Sequence, residues 1–75
     1  MTEKFKAMLL KDVFANKACV EVIEKLAPAL TKFPLAMVAN RKAGEIFELA
    51  VTMRIVDKAT RDKVVDELQK LLGVD

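Results

Sequence analysis

The clearest helix signal in the chain is DKATRDKVVDELQKLLG, residues 57–73. Asp57 is a suitable N-cap, and Gly73 suits the left-handed residue that ends many helices. Asp66 and Lys70 stand four residues apart, a spacing that favours an ion pair on a helix. The apolar residues recur every three or four positions, as one helix face requires. They are Val64, Leu68, Leu71 and Leu72, with Val65 beside them. We therefore predict a helix here.

The same apolar period predicts four more helices in the rest of the chain. The first begins near Thr2, a suitable N-cap, or Glu3, and has Phe5, Leu9 and Val13 on its apolar face. Asn16 interrupts this pattern and can either end the first helix or cap the second. The other three cover about Lys17 to Ala27, Leu35 to Ala39, and about Lys42 to Thr52. Pro28 ends the second helix, and residues 31–34 and 53–58 are connectors. No Asn-Gly or Asp-Gly dipeptide signals a β-hairpin.

These elements predict an all-α fold. We expect a compact bundle of four to five short helices with orthogonal or irregular packing. Residues 1–75 are expected to form a single small helical domain, since a chain of 75 residues is too short for two. Apolar residues make up 53% and charged residues 32% of the chain, a balance typical of globular proteins.

The chain contains no Ser, His, Tyr or Trp. Most of the side chains used for proton shuttling, acyl transfer and metal binding are therefore missing. The single cysteine, Cys19, has no disulfide partner and no histidine to act as its base. Because Cys19 shares an apolar stripe with Ile23, we expect a buried, inert thiol. The composition predicts a chain that is not an enzyme, with no cofactor and no metal site.

One carboxylate pair, Glu45 and Glu48, has the i, i+3 spacing that can place both groups on one helix face. Such pairs can perform acid–base catalysis or bind a hard cation. No further ligand set is visible beside them. We favour a solvated face on which they pair with Arg41 or Lys42.

The net charge of +2 is unevenly distributed, at +4 over residues 1–42 and −2 over residues 43–75. Basic residues of the first part could form a patch that contacts phosphates. They are Lys4, Lys6, Lys11, Lys17, Arg41 and Lys42. Glu3 and Asp12 interrupt this patch, and the last helix carries acids that a phosphate backbone would repel. The pattern argues against nucleic acid as the partner, and a small nucleic-acid-binding helical module is kept as the alternative function.

The chain shows no sign of membrane insertion or export. No apolar run approaches the roughly 18–20 residues of a membrane span. The N-terminus lacks the apolar segment of a signal peptide, and one unpaired cysteine is typical of a reducing compartment. We expect no membrane span and a cytoplasmic location.

Three stretches resemble a small helical module appended to some bacterial carbohydrate-active hydrolases, notably clostridial β-glucosidase-type enzymes. They are LKDVFAN at residues 10–16, VIEKLAP at residues 22–28 and PLAM at residues 34–37. The chain departs from that pattern at Lys17, where Pro is expected, at Ala29 for Gly and at Lys42 for Thr. Such modules are not catalytic, so the resemblance implies an accessory domain and no active-site residues.

These observations favour a non-catalytic accessory or protein-interaction domain, which the resemblance would append to a carbohydrate-active hydrolase. The expected partner is another protein, a domain of a parent enzyme or a second copy of the chain. Apolar residues near the connectors are the candidates for the partner surface. They are Leu35, Met37, Val38 and Met53.

Overall fold

The computed structural model describes residues 1–75 and contains helices but no strand. The α-helices are α1 (Glu3–Ala7), α2 (Leu10–Phe14), α3 (Lys17–Leu26), α4 (Leu35–Val38), α5 (Ala43–Thr52) and α6 (Lys58–Leu72). A 3₁₀ helix, Pro28–Lys32, lies between α3 and α4. The predicted all-α bundle of short helices is confirmed. Its helices number six because the predicted first helix is divided into two.

The prediction of one continuous first helix is wrong at Met8 and Leu9, where the backbone is extended. This segment pairs with the residues that precede α5, and Leu9 and Lys42 face each other in an isolated antiparallel bridge. The Ala43 N–H donates to the Met8 carbonyl over 2.7 Å, and the Leu10 N–H donates to the Arg41 carbonyl over 2.9 Å. These bonds replace those of a continuous helix and turn the chain between α1 and α2.

The helix starts predicted from local side chains are confirmed. Thr2 accepts the Phe5 N–H over 3.2 Å, and Asn16 accepts the N–H groups that begin α3. Asp57 accepts the Thr60 N–H over 2.7 Å at the start of α6. This hydrogen bond favours the ionised carboxylate and lowers the pKa of Asp57. Gly73 ends α6 in the left-handed conformation, with φ of 68°.

Pro28 ends α3 as predicted, but the chain continues as a 3₁₀ helix rather than as an irregular connector. Proline is well suited to the first turn of such a helix because it has no N–H to leave unpaired. The Phe33 N–H then donates to the Leu30 carbonyl over 3.3 Å and closes the last turn.

The core is one cluster of fifteen buried apolar residues. Its members are Phe5, Leu10, Val13, Cys19, Ile23, Ala27, Leu30, Ala43, Ile46, Phe47, Ala50, Val56, Val64, Val65 and Leu68. Helix α3 packs on α6 and the 3₁₀ helix, α1 packs on α5, and α2 packs on α3, α4 and α5. The rings of Phe5 and Phe47 join α1 to α5, with centroids 5.7 Å apart. All elements except α4 contribute residues to this core.

The two ends of the described chain are joined by hydrogen bonds. The Thr2 N–H donates to the side-chain oxygen of Gln69 over 2.8 Å, and the Thr2 hydroxyl donates to the Val74 carbonyl over 2.5 Å. Gln69 is the only glutamine of the chain and is only 8% exposed. These bonds hold the N-terminus of α1 against the last turn of α6.

Candidate functional site

Four consecutive apolar residues are exposed in α4 and just before it: Pro34, Leu35, Ala36 and Met37, which we call the α4 surface. The exposed fraction is 43% for Leu35 and 78% for Met37. Scattered exposed apolar residues are normal on a protein surface. A run of four consecutive ones is unusual unless it has a function. The α4 surface is therefore the candidate site.

Backbone hydrogen bonds and one partly buried side chain, that of Val38, hold α4 in place. No residue of α4 is buried. The Lys11 N–H of α2 donates to the Ala39 carbonyl, and the Arg41 N–H donates to the Val38 carbonyl, both over 2.9 Å. The pairing of Met8 and Leu10 with residues 41 and 43 fixes the turn that follows α4. Most side chains of α4 therefore remain available for contacts outside the molecule.

The four residues predicted to form a partner surface do not form one surface in the structure. Leu35 and Met37 belong to the α4 surface and are exposed. Val38, in contrast, is partly buried and packs against the core. Met53 is 57% exposed but follows the last turn of α5. A helix of this length separates Met53 by about 15 Å, along its axis, from the turn that joins α4 to α5.

All six residues of the predicted basic patch are exposed, but they are spread over α1, α2, α3 and the turn before α5. Two of them are already paired with acids. Lys6 lies 3.4 Å from the Glu3 carboxylate, and Arg41 is hydrogen-bonded to Glu45. The hydrogen bond that Arg41 donates to Glu45, together with the negative charge of Glu45, raises the pKa of Arg41. The predicted pairing of Glu45 with Arg41 is confirmed.

Lys6 and Lys42 of that patch line a shallow surface depression of about 340 Å³ between α1 and α5. Met1, Gly44, Glu45 and Glu48 complete its wall. The two carboxylates offset the charges of the two lysines. The depression therefore lacks the excess of positive charge with which proteins bind a phosphate backbone.

Glu48 pairs with Arg61 of α6, a contact that the sequence did not indicate. The Arg61 guanidinium donates to Glu48 over 2.7 Å and to the neighbouring Asp62 over 2.8 Å. Arg61 is only 8% exposed although it is charged. Its buried stem and its paired head join α5 to α6, so the Glu45 and Glu48 carboxylates are each held by an arginine.

Cys19 is fully buried, as predicted, and burial raises the pKa of its thiol. A neutral thiol in apolar surroundings is a poor nucleophile, because the thiolate is the reactive form. Elsewhere, the side chains of His, Cys, Asp and Glu do not gather in groups of three or more that could hold a metal ion. None of the helices has the length and apolar character needed to cross a membrane.

No protein-family model, curated protein or solved structure matches the chain. The resemblance to a hydrolase-associated module stays a prediction. The α4 surface and its charged neighbours therefore provide the basis for a functional proposal.

Proposed function

We propose that the chain is a non-catalytic protein-interaction domain that binds its partner through the α4 surface. The observation that carries this proposal is the exposed apolar run from Pro34 to Met37 on a helix without buried residues. Burying one large apolar side chain yields about 1.5–3 kcal/mol relative to leaving it exposed. Because Leu35 and Met37 are exposed in the free domain, a partner that buries them gains much of that free energy on binding.

The partner can be a separate protein or a neighbouring domain of a longer chain. The second case corresponds to the accessory role that the resemblance to a hydrolase module implies. In both cases the domain acts by presenting a rigid, preformed surface. The backbone bonds that hold α4 support this role, because a preformed surface loses little conformational entropy on binding.

The test is affinity capture from cells that produce the protein, with three matched baits: the wild type, Leu35→Gln and Leu71→Gln. Leu35 and Leu71 are each 43% exposed, but Leu71 lies on α6, away from the α4 surface. We expect the wild type and Leu71→Gln to retain the same partner and Leu35→Gln to lose it. Equal retention by all three baits would contradict the proposal.

Oxidative footprinting of the captured complex locates the contact independently. Met37 and Met53 are both exposed in the free domain and are expected to be oxidised readily. Binding through the α4 surface should protect Met37 and leave Met53 reactive. Protection of Met53 alone would move the contact to the far end of α5.

A further inference from the structure

The charges around the α4 surface are of one sign along the chain. From Lys25 to Gly44 the sequence contains four cations and no carboxylate. The cations are Lys25, Lys32, Arg41 and Lys42, and all are exposed. Lys32 precedes the α4 surface by two residues, and Arg41 and Lys42 follow α4 in the turn to α5.

Most of these cations have no partner within the molecule. Arg41 is paired with Glu45, and Lys42 lines the depression that also contains Glu45 and Glu48. Lys32 takes part in none of the ion pairs of the structure. Helix α2 packs on α4, and its Lys11 also forms no ion pair. The backbone N–H of Lys11 donates to the Ala39 carbonyl. Asp12, the acidic neighbour on α2, does not form an ion pair with it. The apolar run thus has two unpaired lysines near it, Lys32 just before it along the chain and Lys11 on the adjoining α2.

The positive charges near the α4 surface favour some binding partners over others. A second copy bound symmetrically through the same face would bring the two sets of lysines together, and like charges across an interface disfavour association. An acidic partner instead places its carboxylates opposite the unpaired lysines. Each such pair contributes about 1 kcal/mol or less at an exposed rim, but it favours the correct partner and speeds its association.

A membrane surface fits the geometry less well. Helices that lie in a bilayer interface bury a long apolar face. Four residues of α4 make a helix only about 6 Å long. Two large exposed side chains, Leu35 and Met37, match the short apolar anchors of a protein contact better.

We infer that the α4 surface binds an acidic amphipathic segment of another protein, which inserts apolar side chains against Leu35 and Met37 and sets carboxylates opposite Lys11 and Lys32. This inference rests on the proposed function and names the chemistry of its partner. Binding should weaken as salt is raised, because the charges at the rim are exposed and screened.

The experiment selects binders from a displayed library of random peptides on the immobilised wild-type domain. Bound peptides are then titrated against the wild type, Met37→Gln and the double variant Lys11→Gln, Lys32→Gln. We expect the selected peptides to combine apolar residues with an excess of Asp and Glu. Their affinity should fall about tenfold or more for Met37→Gln, which is about 1.4 kcal/mol. It should fall several-fold for the lysine variant.

Peptides that need Met37 but carry no acidic excess would overturn the acidic partner and leave the proposed function standing. A library that yields no Met37-dependent peptide would also overturn the inference. Two further measurements then show what else binds to the α4 surface. Met37-dependent binding to vesicles of equal parts phosphatidylserine and phosphatidylcholine would assign the surface to a membrane. Met37-dependent dimerisation in sedimentation would assign it to a second copy. If neither occurs, the capture experiment decides whether the proposed function also fails.

Discussion

At the scale of single residues, Gly44 shows how closely two helices approach. A Cβ atom added at Gly44 would lie 2.9 Å from the Lys6 Cβ and 3.0 Å from the Lys6 Cα. Contacts this short force the backbones of α1 and α5 apart. Lys6 belongs to α1, so Gly44 marks the point where α1 and α5 approach closely enough to exclude a side chain.

We predict that Gly44→Ala destabilises the fold although alanine is the better helix former. In an open helix this change would stabilise by about 1 kcal/mol. Here we expect a loss of about 1–3 kcal/mol, because the added methyl group overpacks the contact with Lys6. Urea denaturation measures the difference. A gain in the free energy of unfolding would show that α1 and α5 are farther apart than described.

Arg54 and Gly73 make a second comparison at this scale, since both have a positive φ angle shortly after the last residue of a helix. Their φ angles are 59° and 68°. Only glycine adopts this conformation without the clash that Cβ introduces, which costs about 1–2 kcal/mol. Arg54 forms no ion pair that would compensate.

We predict that Arg54→Gly raises the free energy of unfolding by about 1 kcal/mol and that Gly73→Ala lowers it by about the same amount. Thermal or urea denaturation of the two variants checks both signs. Changes of the same sign in both variants would contradict the assigned backbone conformations.

At the scale of elements, helix ends that are set by a capping residue could be predicted from the sequence. The helix break that is set by residues far along the chain could not. Asn16, Asp57 and Gly73 each mark a boundary through a side chain or backbone preference readable from the sequence. The break at Met8 and Leu9 has no such signal. It arises from pairing with Arg41, Lys42 and Ala43, which are far along the chain. Phe5, Leu9 and Val13 have helical spacing, so the apolar pattern indicated a continuous helix.

The substitution Leu9→Pro tests whether the first predicted helix is broken at Met8 and Leu9. Leu9 has φ of −75°, which proline adopts, and its N–H donates no backbone hydrogen bond in the structure. We predict that Leu9→Pro changes stability by less than about 1 kcal/mol. In a continuous helix the same change would cost about 3 kcal/mol or more. Val20→Pro, within α3, is the matched control and should show that larger loss in urea denaturation.

The candidate site was also predicted only in part. Leu35 and Met37 were expected to be exposed because they lie near connectors, and the structure confirms their exposure. The sequence could not show that Val38 turns to the core. It also gave no sign that Thr2 bonds Gln69, because that contact joins opposite ends of the chain. Such contacts depend on tertiary packing, which local patterns do not encode.

At the scale of the whole molecule, the α4 surface is separate from the apolar core. Fifteen residues form the core and hold five of the six α-helices together with the 3₁₀ helix. The α4 surface contributes no residue to that core. The partly buried Val38 and the backbone bonds of residues 39, 41 and 43 keep α4 in place. The central claim is therefore that the side chains of Leu35 and Met37 are not needed for folding and are available to a partner.

The most direct test is the free energy of unfolding of the double variant Leu35→Gln, Met37→Gln, measured by urea denaturation beside the core variant Leu68→Ala. We predict a change of about 1 kcal/mol or less for the double variant, as expected for exposed positions. Leu68 is fully buried, and Leu68→Ala should lose about 2–5 kcal/mol. A loss above about 2 kcal/mol for the double variant would place Leu35 and Met37 in the core and contradict the claim.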